Sequence, residues 1–478
     1  MTERAHAPLE NGSLINATQC FDAELTARLT TIFRNHGHEL FLVGGSVRDQ
    51  VLGRATHDLD FATSALPEET TAILQVTQPT SIYVVGQRFG TIGAIFGDVT
   101  VEVTTYRGER YEPGSRKPEV HYGVRLYEDL ARRDFTINAM AYDVLTRQTI
   151  DPFGGTEDLR VGLIRAVGEP EQRFAEDPLR LLRAVRFTAQ LGFNIEEKTA
   201  RAISESAGLL RQVSRERILD EMNRVLLSPY PSRGIRLLSD LQLAEVFLPE
   251  ICDLQKTTQG KRSKDVFEHT LRVLERTRAD LVLRWAALLH DIGKPRTFTQ
   301  TGNEIHFPGH EAVGERIARE ILARLRADHE LIEAVGRLVA LHMRANQYEP
   351  DWNDGAVRRL VREAGPEFLR LLELSEADVT SYKAVKVEAA MRRVRQLRER
   401  VERLEEEARI EEIQSPLNGD QLMALFGRGP GPWIKAVKEH LLNLVLEGNL
   451  KPHDEEKSAV IAQNYAQEHP EIFTGVRR

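Results

Sequence analysis

Two-residue alternation of apolar and polar side chains is confined to about the first 150 of the chain's 478 residues, and helical spacing dominates from there on. That change of period calls for one mixed α/β unit followed by an all-helical remainder. A chain of this length exceeds what one core supports and implies roughly three or four units. No internal repeat is visible.

Residues 1–22 read as a loose tail. "FDAELTARLTTIFRNHG" predicts a helix ending at Gly37, and "HELFLVGGSVRDQVLG" a strand, a glycine turn and a helix stopped by Gly53. "HDLDFAT" is a strand, "LPEETTAILQV" a helix after Pro67, and "IYVVGQRFGTIGAIFGDVTVEVTTYR" a set of paired strands with a turn at Gly97-Asp98. "YEPGSRKPEVHYG", rich in Pro, Gly and charge, reads as a mobile loop. From about Arg173 only "EIHFPG" resembles a strand, breaks fall near Pro229–Pro231 and residue 385, and residues 384–412 predict one long charged helix.

Asp58 and Asp60, one residue apart on a strand, point to the same face, where two like charges repel unless a cation lies between them. Gly44-Gly45 just before them lets backbone N–H groups approach a phosphate, and Arg48 follows in the next turn. Paired carboxylates beside a phosphate cradle suit Mg2+-assisted phosphoryl or nucleotidyl transfer. Glu102 in "VEVTT" is either a third acidic group from a neighbouring strand or a surface glutamate. In "EDPLRLLRAVR", Asp177 and Arg180 on one helix face can accept from an exocyclic amino group and donate to the adjacent ring nitrogen. Adenine and cytosine offer that pair, and guanine and uracil offer the reverse. Arg180, Arg183 and Arg186 form a basic stripe whose plainer reading is a solvated face.

Composition narrows the setting. With 41% hydrophobic and 28% charged residues and no membrane-length apolar window, the chain reads as soluble. The polar N-terminus and two distant cysteines, Cys20 and Cys252, point to the cytoplasm and to neither disulfides nor a thiolate zinc site. The net charge is −8, yet residues 160–236 hold 14 Lys+Arg against 10 Asp+Glu, a modest hint of a polyanionic partner.

"LVGGSVRDQVLG", "HDLDFATSALPEE", "RRDFTINAMAYD" and "EDPLRLLRAVRF" resemble, in order and spacing, the motifs of bacterial class II tRNA nucleotidyltransferases and their poly(A) polymerase relatives. The resemblance implies catalytic Asp58 and Asp60 on Mg2+, and Glu102 is the candidate third catalytic carboxylate read from the residues themselves. It places Gly44, Gly45, Ser46 and Arg48 at the triphosphate, Arg132, Arg133, Asp134 and Asn138 in the nucleotide pocket, and Asp177 and Arg180 at the base. Arg183 and Arg186 then lie nearer the phosphates or primer, and His57 has no assigned role.

Farther along, His269, His290-Asp291, His310, His342 and Asp378 resemble the HD phosphohydrolase series. By that resemblance His269, His290, Asp291 and Asp378 hold one divalent metal (Mg, Mn, Ni, Co or Fe), and His310 and His342 serve a second metal or phosphate. The implied activity is on 2′,3′-cyclic phosphates or phosphate monoesters.

"LNGDQLMALFGRGPGPWIKAVKEHLLNLVLEGNLKP" resembles the tRNA-holding tail of one bacterial CCA-adding group. The expected fold is an α/β nucleotidyltransferase head followed by an all-α neck, HD body and helical tail. The expected division is a tail at 1–22, head at 23–160, neck at 161–230, HD domain at 231–385, and linker helix with C-terminal tail at 386–478. The expected partners are tRNA, ATP and CTP, with no membrane. Relatives that add only CC tend to have lost a loop that this chain keeps as "GERYEPGSRKPEVHYG", which favours complete CCA addition with addition of the final A close behind, while Pro178 in "EDP" leans toward the poly(A) side. A poly(A) polymerase, and a phosphohydrolase whose head only binds RNA, are the alternatives.

Overall fold

The computed structural model describes residues 22–55, 58–85, 90–110, 119–257, 265–302, 304–379, 384–412, 415–446, 449–451 and 453–470. The N-terminal tail through residue 21, His57, and residues 111–118 of the expected loop lie outside the described residues. The chain forms two compact units, one of residues 1–343 with 369–380, the other of residues 344–368 with 381–478. No helix among the described residues is long and apolar enough to cross a membrane.

The first unit opens on a seven-stranded sheet in the order β3-β4-β5-β2-β1-β8-β9. Its strands are β1 (Leu40–Val43), β2 (Asp58–Thr63), β3 (Ser81–Val85), β4 (Thr91–Phe96), β5 (Val99–Thr105), β8 (Ala141–Asp143) and β9 (Gln148–Ile150). A separate hairpin pairs β6 (Arg107–Arg110) with β7 (Glu119–Tyr122). The β2–β5 pair is parallel and sets Asp60 beside Glu102, while the other pairs of the main sheet are antiparallel. The β4–β5 turn is the two-residue Gly97-Asp98 loop, with Gly97 at φ 61° as such turns demand. Helices α1 (Ala23–Asn35), α2 (Gly45–Val51), α3 (Pro67–Val76), α4 (Leu126–Ala131) and α5 (Gly155–Val161) accompany the sheet. Asp22 caps α1 through Leu25 N–H at 2.8 Å, and Pro67 starts α3 where its missing N–H costs nothing.

Next come α6 (Pro170–Glu176), α7 (Leu179–Leu191), α8 (Glu197–Ser206), α9 (Arg215–Leu226) and α10 (Pro231–Asp240). Here the sequence reading missed two strands. β10 (Leu163–Ile164) pairs in parallel with β11 (Asn194–Ile195), two residues each, too short to show alternation. The following helices are α11 (Ala244–Phe247), α12 (Pro249–Thr257), α13 (Val266–Arg276), α14 (Leu281–Leu289), α15 (Lys294–Thr297), α16 (His310–Arg324), α17 (His329–Asn346), α18 (Asp354–Ala364) and α19 (Phe368–Asp378). The "EIHFPG" stretch supplies β13 (Glu304–His306), which pairs with β12 (Thr299–Thr301).

The second unit contains α18, the long helix α20 (Ala384–Glu412), α21 (Gly419–Phe426), α22 (Pro432–Leu446) and α23 (Glu455–Glu468). Trp433, Val437, Leu441 and Val445 of α22 close a core with Leu422 and Ala462. Arg400 of α20 donates to Asp354 at 2.7 Å.

Helices α7, α9 and α10 cross at Gly234, where an added Cβ would lie 2.6 Å from Val225 Cγ1 and 3.1 Å from Ala189 Cβ. Gly234→Val should therefore cost about 1–3 kcal/mol by overpacking. A lowered urea midpoint for the first unit is the expected result, and an unchanged one contradicts this crossing.

Candidate active sites

The first site is built where β1 turns into α2. Gly44 has φ 64° and ψ −130°, a conformation that excludes other residues, and a Cβ there would lie 2.8 Å from Arg133 Nη1 and 4.0 Å from Asp60 Oδ2. The bare backbone thus lets a guanidinium and a carboxylate converge. The Ser46 hydroxyl accepts from Asp60 N at 2.9 Å and donates to Asp58 O at 3.2 Å, tying α2 to the acidic strand. That is a positioning role for the backbone of β2, and both contacts of the hydroxyl are spent on it.

On β2 the buried Leu59 separates exposed Asp58 from half-buried Asp60, so the two aspartates share a face as the alternation predicts. Glu102 stands beside Asp60 in the sheet register. Burial, aided by the charges of Glu102 and Asp58 and opposed by Arg133 and Arg48, raises the Asp60 pKa to about 6. Carboxylate oxygens are the donors a hard divalent cation takes, so Asp58 and Asp60 on one face of β2, with Glu102 beside Asp60 in the register, suit Mg2+ by donor type.

Facing them is an open cleft of ≈ 1050 Å³, lined by nine arginines, 48, 107, 132, 133, 180, 183, 186, 217 and 224, against four acidic residues, Asp60, Asp134, Glu176 and Asp177. Carboxylates fix several of these cations in place. Buried Asp129 accepts from Arg132 Nε at 3.0 Å and from Arg133 Nη2 at 3.2 Å. Burial opposes its charge, yet Arg133 and Arg132 hold its pKa below the ordinary carboxylate range. Arg48 donates to Asp49 and to Asn138 Oδ1 at 3.0 Å, Asn138 Nδ2 donates to Asp134 at 3.1 Å, and Arg183 Nε donates to Asp134 at 2.7 Å. Against the effect of burial, Arg183 and Asn138 bring the Asp134 pKa down to about 2. Beneath them the Phe187 ring lies 5.3, 5.5 and 4.4 Å from the guanidinium carbons of Arg48, Arg183 and Arg186. Arg186 also pairs with Glu221 at 2.8 Å, and burial lowers its pKa to about 10, leaving it charged at neutral pH. Arg180 and Arg186 are buried, which rules out a solvated stripe.

One detail of the sequence reading needs correction. Asp177 is not on a helix face with Arg180, because it precedes Pro178 and sits in extended backbone at φ −139° and ψ 100°, between α6 and α7. Arg180 instead pairs with Glu176 at 2.7 Å and donates to Arg132 O at 2.8 Å. Asp177 accepts from Leu179 N–H at 3.2 Å and from Arg217 at 2.9 Å. Both residues still line the one cleft.

The second site gathers side chains from five helical segments. His269 lies on α13, His290-Asp291 follow α14, His310 opens α16, His342 is on α17 and Asp378 ends α19. Asp291 is the hub: its Oδ2 lies 3.5 Å from His269 Nε2 and 3.3 Å from His290 Nε2, and its Oδ1 lies 3.6 Å from His310 Nε2. Asp378 Oδ1 is 2.9 Å from His269 Nε2, and the Nε2 atoms of His310 and His342 are 3.3 Å apart. The Nδ1 atoms of His290, His310 and His342 face backbone carbonyls at 2.9, 2.9 and 2.7 Å, which leaves Nε2 of each for a ligand. Burial lowers His342 to about 4 and lowers His269 as well, so both are neutral donors at pH 7. Burial opposes ionisation of Asp291, but His290 and Lys294 hold its pKa well below the usual range. Two ligand groups, His269-His290-Asp291 and Asp291-His310-His342, share this carboxylate. Mixed imidazole and carboxylate donors in this arrangement fit one or two divalent cations.

Comparison with known proteins finds three family models along the chain. The Poly A polymerase head domain matches residues 40–165, the probable RNA and SrmB-binding site of polymerase A matches residues 192–254, and the HD domain matches residues 266–383. A CCA-adding enzyme of Anoxybacillus flavithermus is 33% identical over 426 residues, covering 88% of this chain and 92% of that one. An A-adding tRNA nucleotidyltransferase of Deinococcus radiodurans is 34% identical over 447 residues, covering 90% and 96%. The chain belongs to the tRNA nucleotidyltransferase family. The crystal structure of Bacillus stearothermophilus CCA-adding enzyme in complex with CTP aligns over 94% of this chain and 98% of that one, with a TM-score of 0.58 and 29% identity.

Within this family member the sequence motifs located the cleft, but not the groups that brace it. Asp129 carried a signal, standing three and four residues before Arg132 and Arg133 on one helical face. Glu221, Arg224 and Arg217 carried none, since they come from α9, far along the chain from the motifs they serve. Lys294, which donates to Asp291 at 2.6 Å, was likewise unremarked.

The shared Asp291 predicts two metal equivalents at the second site. In a full-length Asp60→Ala background, metal analysis after Mn2+ loading should give about two ions per chain, His310→Ala should remove one, and Asp291→Ala both. One ion in the parent, unaffected by His310→Ala, contradicts the paired arrangement.

Proposed function

We propose that this protein completes tRNA 3′ ends from CTP and ATP without a nucleic-acid template, adding CCA or only its final A. The observation that carries the reading is the single cleft in which Asp60, the arginine cluster and the Asp177 and Arg180 side chains all meet. Relatives named for CCA addition and for A addition match at 33% and 34% identity, so both end points are retained.

In this reading Arg48, Arg132, Arg133, Arg183 and Arg186 receive the triphosphate, together with the bare backbone at Gly44-Gly45, and Asp134 and Asn138 stand by the sugar. Asp177 accepts from the amino group of adenine or cytosine and Arg180 donates to the neighbouring ring nitrogen, so guanine and uracil meet the wrong polarity. Asp58, Asp60 and Glu102 would hold Mg2+, which neutralises phosphate charge and promotes ionisation of the attacking 3′ hydroxyl. Ser46 keeps that acidic strand against α2. This reading assigns the Asp58 and Asp60 carboxylates to the junction of the primer end and the reacting phosphate.

The division into head (23–160), neck (161–230), HD domain (231–385) and linker with tail (386–478) goes with this reading. So does a role for the tail in holding the tRNA body, and a cytoplasmic location beside its substrate. The second site is assigned to metal-dependent hydrolysis of 2′,3′-cyclic phosphates or phosphate monoesters. The metal would polarise phosphate and activate water, while the shared Asp291 and the buried histidines hold the ligand atoms in place.

Incubating tRNA lacking CCA, and tRNA ending in CC, with ATP, CTP or both tests the assignment. The expected product stops at CCA; A addition confined to the CC-ending substrate marks the A-only form. Long A tails on generic RNA identify a poly(A) polymerase instead. Asp58→Ala and Asp60→Ala should each lower incorporation by at least about a hundredfold and leave phosphate release from a cyclic phosphate intact. Surviving incorporation contradicts the site assignment.

A further inference from the structure

The carboxylate assigned to base reading does not stand alone. Asp177 lies in the short extended link between α6 and α7, where Pro178 fixes its backbone but nothing in that link fixes the rotation of its side chain. Two donors do. Leu179 N–H holds Oδ1 at 3.2 Å, and the Arg217 guanidinium, reaching across from α9, holds Oδ2 at 2.9 Å. Arg217 lines the same cleft, and its side chain is 51% exposed while that of Asp177 is 30% exposed.

We infer that Arg217 is a positioning residue for nucleotide selection: it orients the Asp177 carboxylate so that its remaining lone pairs face the amino group of adenine or cytosine. The inference rests on the base-reading role of Asp177 and adds the group that makes that role selective. A carboxylate oxygen has two lone pairs, so the contact with Arg217 leaves each oxygen able to accept once more. A carboxylate rotated away from the base would neither accept from the amino group of adenine or cytosine nor repel the carbonyl oxygen that guanine and uracil present in its place.

Arg180, the other half of the reading pair, needs no such partner. It is buried, and is already held by Glu176, Arg173 O and Arg132 O at 2.7, 3.0 and 2.8 Å. The two halves of the recognition pair are thus oriented from different directions, Arg180 by α6 and the loop after α4, and Asp177 by α9. Because Arg217 is half-exposed, its truncation leaves no cavity in the core.

The test uses full-length protein and tRNA ending in CC, which both CCA-adding and A-adding enzymes extend. Single-turnover kcat/KM is measured for ATP and for GTP with wild type, Arg217→Ala, Arg217→Lys, Asp177→Ala and Asp177→Ala/Arg217→Ala. Arg217→Ala should lower the ATP:GTP ratio by about tenfold, the scale of one charge-assisted hydrogen bond. Arg217→Lys should restore most of that ratio, and the double variant should be no less selective than Asp177→Ala. If Arg217→Ala slows ATP and GTP equally, or leaves the ratio unchanged while Asp177→Ala loses it, the positioning role is overturned. If Asp177→Ala itself retains the wild-type ratio, the base-reading role fails and the inference with it.

Discussion

Nine guanidiniums crowded into one cleft are the constraint around which the first unit is organised. Two like charges a few ångströms apart repel by about 4 kcal/mol at the effective dielectric of such a site, so a cluster of this kind does not assemble unaided. Here it is braced by Asp129 under Arg132 and Arg133, Asp134 against Arg183, Glu176 against Arg180, and Glu221 against Arg186. The Phe187 ring underlies three of the cations and is itself met edge-on by Phe135 at 5.8 Å. A polyphosphate entering this cleft finds its donors already placed, which reduces the ordering cost of binding.

Helix α9 has a second attachment besides the cleft. Its Arg217 and Arg224 line the cleft and its Glu221 pairs with Arg186, while Asn223 accepts from Trp285 Nε1 at 2.8 Å. Buried Arg284 donates to Leu226 O and, at 2.7 Å, to Ser228 O, closing the C-terminal end of α9. Trp285 and Arg284 belong to α14, the helix that leads into His290-Asp291. Helix α9 therefore contributes groups to the cleft and is tied to the helix that leads into the histidine cluster.

Much of this was legible in the sequence because the motif residues lie close together along it. Gly44-Gly45, the Asp58/Asp60 alternation and the Gly97-Asp98 turn each follow from local backbone rules. The lateral placement of Glu102 beside Asp60 was left open by the sequence and decided by the parallel β2–β5 register. Asp177 shows where periodicity misleads. The helical spacing around it is real, but Pro178 forces the preceding residue into extended backbone and breaks the pattern at the residue that matters. The order of the histidines marked a metal-binding region; the shared role of Asp291 depends on which of its two oxygens faces which imidazole, and that is set by packing among α13, α14, α16 and α17. Arg217 and Glu221 could not be read at all, since their partners are 40 and 35 residues away in the chain.

Asp129 separates a braced cleft from a merely basic one. It is buried beneath two arginines, and its removal takes a negative charge away from an anion-binding site. Simple charge balance then calls for tighter binding of a polyphosphate. The most direct measurement is the calorimetric affinity of full-length wild-type and Asp129→Asn protein for inorganic tripolyphosphate at fixed ionic strength. Preorganisation predicts that Asp129→Asn binds more weakly, as Arg132 and Arg133 lose their alignment; equal or tighter binding would contradict it.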